Sequence, residues 1–322
     1  MSGSRQFACL CRSFAANFPA KLGRPAGWVA VPAYGILSLG ACWGSFVTKV
    51  DGQGAVVAAK SDEVDHDSLK SHLYFHAPFD GGTDAKVARR DGKLRTAPDL
   101  KRETAEIGQL REDVQILQGE GKSGDAIRFQ RKSKQVLFYP GINMDYQPSD
   151  WQGTMSVWLR LTPDEDLPKG YADPLQITDK AWNDASFFID FDIDQPRTFR
   201  LGVFANYRFW NLQDTPWESI PLAERPMISV PRPAMSRDRW THVAWTFEGI
   251  NAADGRAATC CLYLDGQLQG TLERPLKFDW NLERTAIMLG LDYVGDLDEL
   301  MLFDRSLSAE EIVRLGSFFN KN

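Results

Sequence analysis

The run Asp190-Phe191-Asp192-Ile193-Asp194 places a carboxylate at every second position. Successive side chains of an extended strand alternate between faces, so the three acids would share one face. Carboxylates in that pattern could act as a glycosidase acid and nucleophile, could hold a cation, or could form a plain solvent-facing row. A retaining hydrolase needs its two carboxyls about 5–5.5 Å apart. Asp190 and Asp194, four residues apart, are separated by about 13 Å of backbone. The short Asp side chain spans such a gap poorly, so the all-Asp run suits binding or exposure better than catalysis.

Around this run lie the residue types that bind sugars, in which flat rings cover the apolar sugar faces while amides and carboxylates meet the hydroxyls. Trp182, Asn183 and Asp184 precede it, and Asn206, Tyr207, Trp210, Asn211 and Trp217 follow. With Asp190 and Asp192 they form the candidate ligand-binding set. Trp158 and Trp245 fall inside alternating stretches and read as core. His242 reads as a packed, hydrogen-bonded strand residue. No Ser–His–Asp or Cys–His arrangement follows from order or spacing. Cys260 and Cys261 are neighbours pointing to opposite faces and read as thiols, not as a bridge.

The elements that would position these residues are strands. Ten Trp and 11% aromatic content in 322 residues, with few helix-period stretches, indicate a β-rich domain with a sizeable core. Short alternating runs bounded by turn signals recur from Leu73 onward, among them 154–161, 186–193, 198–204 and 240–247. Asp265-Gly266 between two such runs predicts a type I′ hairpin. Leu300 to Phe303 is apolar on both faces, which predicts a central strand covered on each side. Ser308 and Glu311 then make a capping box, with Leu307 and Ile312 as a hydrophobic staple, so a short helix should lock the chain's end onto the sheets. The predicted architecture is all-β, a two-sheet antiparallel jelly-roll sandwich with a short C-terminal helix. A net charge of −6 argues against a nucleic-acid partner. The basic run 128–134 reads as the solvated face of an edge strand.

Ahead of the domain, residues 26–47 form an uncharged, largely apolar run preceded by Arg5, Arg12, Lys21 and Arg24. At about 1.5 Å per residue, such a run could cross a hydrocarbon core of about 30 Å. The charge bias predicts an exported protein of the cell envelope, with residues 26–47 as anchor helix or cleaved signal. Leu39-Gly40-Ala41-Cys42 resembles the bacterial lipobox, which makes Cys42 a candidate lipidation site. The expected organisation is a basic segment 1–25, the apolar segment 26–47, a linker 48–70 and a folded domain 71–316.

Gly295-Asp296-Leu297-Asp298-Glu299-Leu300, followed by Phe303-Asp304-Arg305-Ser306-Leu307-Ser308, resembles the closing signature of laminin G-like jelly rolls of the concanavalin A-like lectin/glucanase superfamily. Trp240-Thr241-His242-Val243-Ala244 and Leu262-Tyr263-Leu264-Asp265-Gly266 resemble two further motifs of that family, and the ordered set covers about residues 71–316. The stretches from Arg95 to Gly119 and from Asn211 to Ser236 are longer than usual and should form rim loops. The resemblance implies a sandwich that binds glycans or proteins, so the expected partner is a glycan or an envelope protein, with the membrane reached through the N-terminal segment. It also implies one structural Ca²⁺ where the opening strand meets the closing one, at Asp80 and Asp298; capping of a turn by Asp80 and a backbone hydrogen bond to Asp298 is the alternative. Glucanases of the superfamily carry Glu-x-Asp-x-Glu on a comparable strand, the pattern of which Asp190, Asp192 and Asp194 would be an all-Asp version. The leading expectation is non-catalytic binding of a polysaccharide; the alternatives are a protein–protein scaffold and a glycan hydrolase or lyase. Oligomeric state is not legible.

Overall fold

The computed structural model describes residues 66–317. The basic segment, the apolar run 26–47, Cys42 and most of the linker lie outside the described residues.

Two antiparallel sheets face each other. In the first, the strands run in the order Gln267–Arg274, Ala258–Leu264, Thr241–Ile250, Trp151–Arg160, Gly295–Phe303, Leu73–Ala77, Val87–Ala88, and Ala126–Phe129 pairs with the start of Gly295–Phe303. The second has the order Met227–Pro231, Thr198–Phe204, Ser186–Phe191, Ala172–Thr178, Ala286–Leu291, Val136–Pro140, Arg95–Ala97, Glu106–Ile107. The expected sandwich is the observed one. Alternation along each strand sends one set of side chains inward, and Leu159, Val243 and Trp245 of the first sheet meet Ile177, Phe187 and Leu201 of the second, all fully buried. One end of this core is aromatic: Trp151 stands 4.7 Å from Phe247 and 5.0 Å from Trp280, centroid to centroid. Each large apolar side chain so buried contributes about 1.5–3 kcal/mol.

Gly295–Phe303 is central, as its two apolar faces require. It is bulged, however: its register against Trp151–Arg160 shifts between Asp298 and Met301, where Glu299 takes φ +52°. Asp265-Gly266 closes its hairpin with φ +48° and +77°, as type I′ geometry demands. The capping box forms, with the Ser308 amide donating to Glu311 Oε2 at 2.9 Å and the Glu311 amide to Ser308 Oγ at 3.3 Å. Leu307 and Ile312 are both buried in one cluster on the outer face of the first sheet. The helix Ala309–Ser317 thus covers that face.

Two expectations need correcting. Ala126–Phe129 is no edge strand, being paired on one side with Val114–Leu117 and on the other with Gly295–Phe303, and Arg128 is held by Asp296 at 2.6 and 2.9 Å. The folded part also includes residues before 71: His66–His72 is helical, and Leu69 is buried in the same outer cluster as Ile312.

Candidate functional site

The outer face of the second sheet is open on its Met227–Pro231 side, and a cleft of roughly 390 Å³ lies there. Its floor comes from outward positions of adjacent strands: Gln176, Phe188 and Asp190, with Arg200 opposite Asp190 in register. Gly202 faces Phe188 across the next pair, and a Cβ there would strike the Phe188 ring, so this glycine lets the ring lie flat on the sheet. The walls are aromatic. Tyr171, 46% exposed, stands on one side; Trp182, 40% exposed, and half-buried Trp217 stand on the other. The two indoles meet edge to face at 5.1 Å, and Trp182 also packs on Phe204 at 5.4 Å. Arg225 lies over the Trp217 ring at 4.2 Å. The tryptophan wall is therefore braced from behind while both indoles line the cleft.

Charge on the floor is paired. Arg200 Nε donates to Asp190 Oδ1 at 2.8 Å and its Nη2 donates to Oδ2, a two-pronged contact between residues 8% and 4% exposed. Burial raises the Asp190 carboxyl above its ordinary pKa, and the Arg200 contact opposes that rise. The guanidinium also lies 5.0 Å from the Tyr171 ring, fixing that wall. Asp173, beside them, is pushed well above the usual carboxylate range, first by burial of its carboxyl and then by the Asp190 charge. The cleft thus offers ring-sized aromatic plates above pre-positioned donors and acceptors.

A second cluster surrounds the loop 119–125. Asp298 Oδ2 accepts the Lys122 and Ser123 amides at 2.7 and 3.2 Å, and Oδ1 accepts the Glu299 amide at 2.8 Å. Asp80 Oδ1 accepts the Asp125 amide at 2.8 Å, while Asp125 returns two bonds, from Gly81 and Gly119, each 2.9 Å. Burial, with Glu299 adjacent, raises Asp298 to about 8. These are the bonds of the capping alternative. Among the described residues, no group of three or more His, Cys, Asp or Glu is placed to hold a metal ion.

A family profile described as Concanavalin A-like lectin/glucanases superfamily (Laminin_G_3) matches residues 149–313. The chain belongs to this superfamily. Among solved structures, similarity to this concanavalin A-like domain extends to domain 4 of AbnA, a GH43 extracellular arabinanase from Geobacillus stearothermophilus, determined with arabinotriose. That match has 17% identity and TM-score 0.45, and covers 76% of this chain and 98% of that one. The binding domain of Paraclostridial Mosquitocidal Protein 1 matches at 16% identity and TM-score 0.46, over 79% of this chain and 54% of that one. An HCR/D point mutant matches at 9% identity and TM-score 0.50, over 78% and 52%. The chain spans about half the length of these last two proteins. No curated protein sequence matches.

Of the residues singled out in the sequence, this concanavalin A-like domain brings Trp182, Trp217 and Asp190 together in the cleft. Others build its supporting loops. Asp184 Oδ1 accepts the Tyr207 amide at 2.8 Å, the Asn183 carbonyl accepts Trp210 Nε1 at 2.8 Å, and Asn206 Oδ1 accepts the Asp279 amide at 3.2 Å. The Tyr207 hydroxyl donates to Asp214 at 2.5 Å, and Asn211 is buried, bonded in both directions to Thr215. The shared face of three aspartates does not form. The strand ends at Phe191, Asp192 Oδ1 accepts the Thr198 amide to close the turn, and Asp194 is exposed within it. Tyr171, Gln176, Phe188 and Arg200 escaped the sequence reading. Arg200 is the one charged residue of its strand and Gln176 lies between Leu175 and Ile177, the one signal that could have found them. His242 is buried and bonded to Ser156 Oγ at 2.8 Å, and burial lowers it to about 4. Trp245 is core, whereas Trp158 is buried on the outer face under Lys122, 4.4 Å from its ring.

Proposed function

We propose that this chain is a non-catalytic glycan-binding protein and that the glycan lies in the cleft between Tyr171 and the Trp182–Trp217 wall. The observation that carries this reading is the pairing of exposed aromatic faces with a floor of Gln176, Asp190 and Arg200. Sugars present apolar ring faces flanked by hydroxyls, and this surface offers the complement of both. Hydrolysis has little support: Asp190 is neutralised by Arg200, and Asp192 and Asp194 face away from any shared acid–base task. A glycan array is the test. Binding that disappears in both Tyr171→Ala and Trp182→Ala is expected; retention of no glycan by the wild-type protein would sink the reading. Release of reducing ends by the wild-type protein, abolished in Asp190→Asn, would replace it with a hydrolase.

One observation favours a protein partner as second reading. Leu212 and Leu222, 70% and 77% exposed, stand on the rim loop beside Trp217. Capture of one specific envelope protein, lost in Leu222→Asp while glycan binding persists, would support it. The proposal places the protein in the envelope, held through residues 26–47 or a lipid on Cys42. Membrane fractionation of the wild type and Cys42→Ala distinguishes the two.

A further inference from the structure

The cleft is not the only recess on the outer face of the second sheet. A larger one, roughly 840 Å³, lies over Arg95–Ala97, Val136–Pro140 and the start of Ala286–Leu291. The two are joined by a register row. Arg95 pairs with Phe138, Phe138 with Met288, Met288 with Gln176 and Gln176 with Phe188, one residue from each successive strand. Phe138 and Phe188 are three strand spacings apart, about 14 Å. Gln176 belongs to the first cleft and Phe138 to the second recess; Met288 between them is buried beneath Arg102, whose Nη1 lies 3.3 Å from its Sδ, so a linear ligand passing from one to the other would cross the Arg102 guanidinium.

The chemistry changes along that row. The second recess is lined by the cations Arg95, Lys101, Arg102, Lys180 and Arg284, against the carboxylates Glu103, Asp179 and Glu283. Arg95 is paired with Asp91, and Lys180 with Asp279 at 2.6 Å. Lys101 and Arg284 make no ion pair among the described residues. Arg102 is anchored by its own guanidinium, which donates to the carbonyls of Leu100 at 2.8 Å and Arg284 at 2.7 Å and lies 5.8 Å from the Phe138 ring. Both arginines line the recess, with Arg102 bonded to the Arg284 backbone, and burial, followed by the neighbouring Arg284 charge, lowers the Arg102 pKa. Like charges kept adjacent in a recess are relieved by an anion between them. Asp179 is a further unmet demand: it is 5% exposed, its Oδ2 accepts the Asn281 amide at 3.0 Å, and its Oδ1 has no partner among the described residues. A buried oxygen left in that state calls for a donor such as a hydroxyl.

We propose that the binding groove continues from the aromatic cleft into this recess and that its ligand is an acidic polysaccharide. Uronate carboxylates would meet Arg284, Lys101 and Arg102, and a sugar hydroxyl would donate to Asp179. The inference rests on the glycan reading above and narrows it to one substrate class. Lys101 and Arg284 are exposed, so charge reversal there leaves the fold intact.

The test uses the full-length protein and a panel of oligouronates from pectin and alginate, each beside its carboxyl-methyl ester, with binding followed by calorimetry at two salt concentrations. At least one acid should bind about tenfold or more tightly than its ester, the scale of a charge-assisted hydrogen bond, and the preference should shrink with salt. Lys101→Glu/Arg284→Glu should erase the preference while leaving thermal stability unchanged. Equal affinity for acid and ester, or a preference that survives the double variant, would overturn the inference; if ester binding still needs Trp182, the glycan cleft stands without it. Absence of binding to acid, ester and neutral oligosaccharide alike would overturn both.

Discussion

The two outer faces of this sandwich start from similar materials and end differently. On the first sheet, Asp298, Trp158 and His242 form an outward row of carboxylate, indole and imidazole across three strands. On the second, Phe188, Asp190 and Arg200 occupy equivalent outward positions. The first row is closed over. The loop 119–125 gives its amides to Asp298, Lys122 lies on Trp158, and Gly316 of the final helix approaches His242. The second row stays open because the long segment between Asn211 and Ser236 folds back to the sheet edge, building a wall instead of a lid. Asp298, under its loop, accepts backbone N–H groups; Asp190, on the open side, is given an arginine.

That contrast can be broken at its strongest point first. Arg200→Ala leaves Asp190 buried and unpaired and should lower unfolding free energy by about 3–5 kcal/mol, whereas the double replacement Asp190→Leu/Arg200→Met should recover most of the loss. Urea titration of both variants checks this; equal destabilisation would show that the pair is no unit. Next comes the clasp on the closed face. Ile312→Ala removes a fully buried side chain and should cost about 2–5 kcal/mol, read from the shift in denaturation midpoint.

Glu311 has a smaller effect with a clear pH signature. Its carboxylate accepts two bonds from Arg305, at 2.7 and 2.6 Å, and is lowered to about 2 from an ordinary 4.5. A lowered carboxylate stabilises fully above its unfolded pKa and loses that contribution as pH falls toward the folded value. Glu311→Gln should therefore cost about 1 kcal/mol near neutrality, after allowance for partial exposure, and nothing near pH 2. Asp298 has the opposite sign. Raised to about 8, it favours folding most at low pH, and its contribution is lost as pH rises from about 4 to about 8. Asp298→Asn, which keeps an oxygen for the Lys122 and Ser123 amides, should flatten that slope. If calcium occupies this end of the domain, EDTA will lower the melting temperature of the wild type and leave Asp298→Asn unmoved; an equal response in the two proteins would remove Asp298 from any calcium site. The mildest stability effect belongs to Trp182→Ala, within about 1 kcal/mol by thermal melt, because the ring is 40% exposed.

Much of the fold was legible because its cues are local. Alternation along Trp240 to Phe247, the Asp-Gly pair at 265–266 and the Ser308–Glu311 capping box each act within a few residues, and each appears as expected. The cleft was legible only in part. Trp182 and Trp217 were conspicuous by type, but so were Trp210 and Tyr207, whose bonds turned them into loop supports. Asp190 to Asp194 misled because alternation holds only while the strand lasts, and this strand stops at Phe191.

The amino-acid sequence by itself determined the sheets, their turns and the closing helix, since propensity, pattern and capping operate over short separations. Tertiary structure alone decided which acids would meet an arginine, which would meet amides, and which aromatic rings would keep a face toward solvent. Those outcomes depend on strands far apart in the chain becoming neighbours about 4.8 Å apart, a relation that no local pattern encodes.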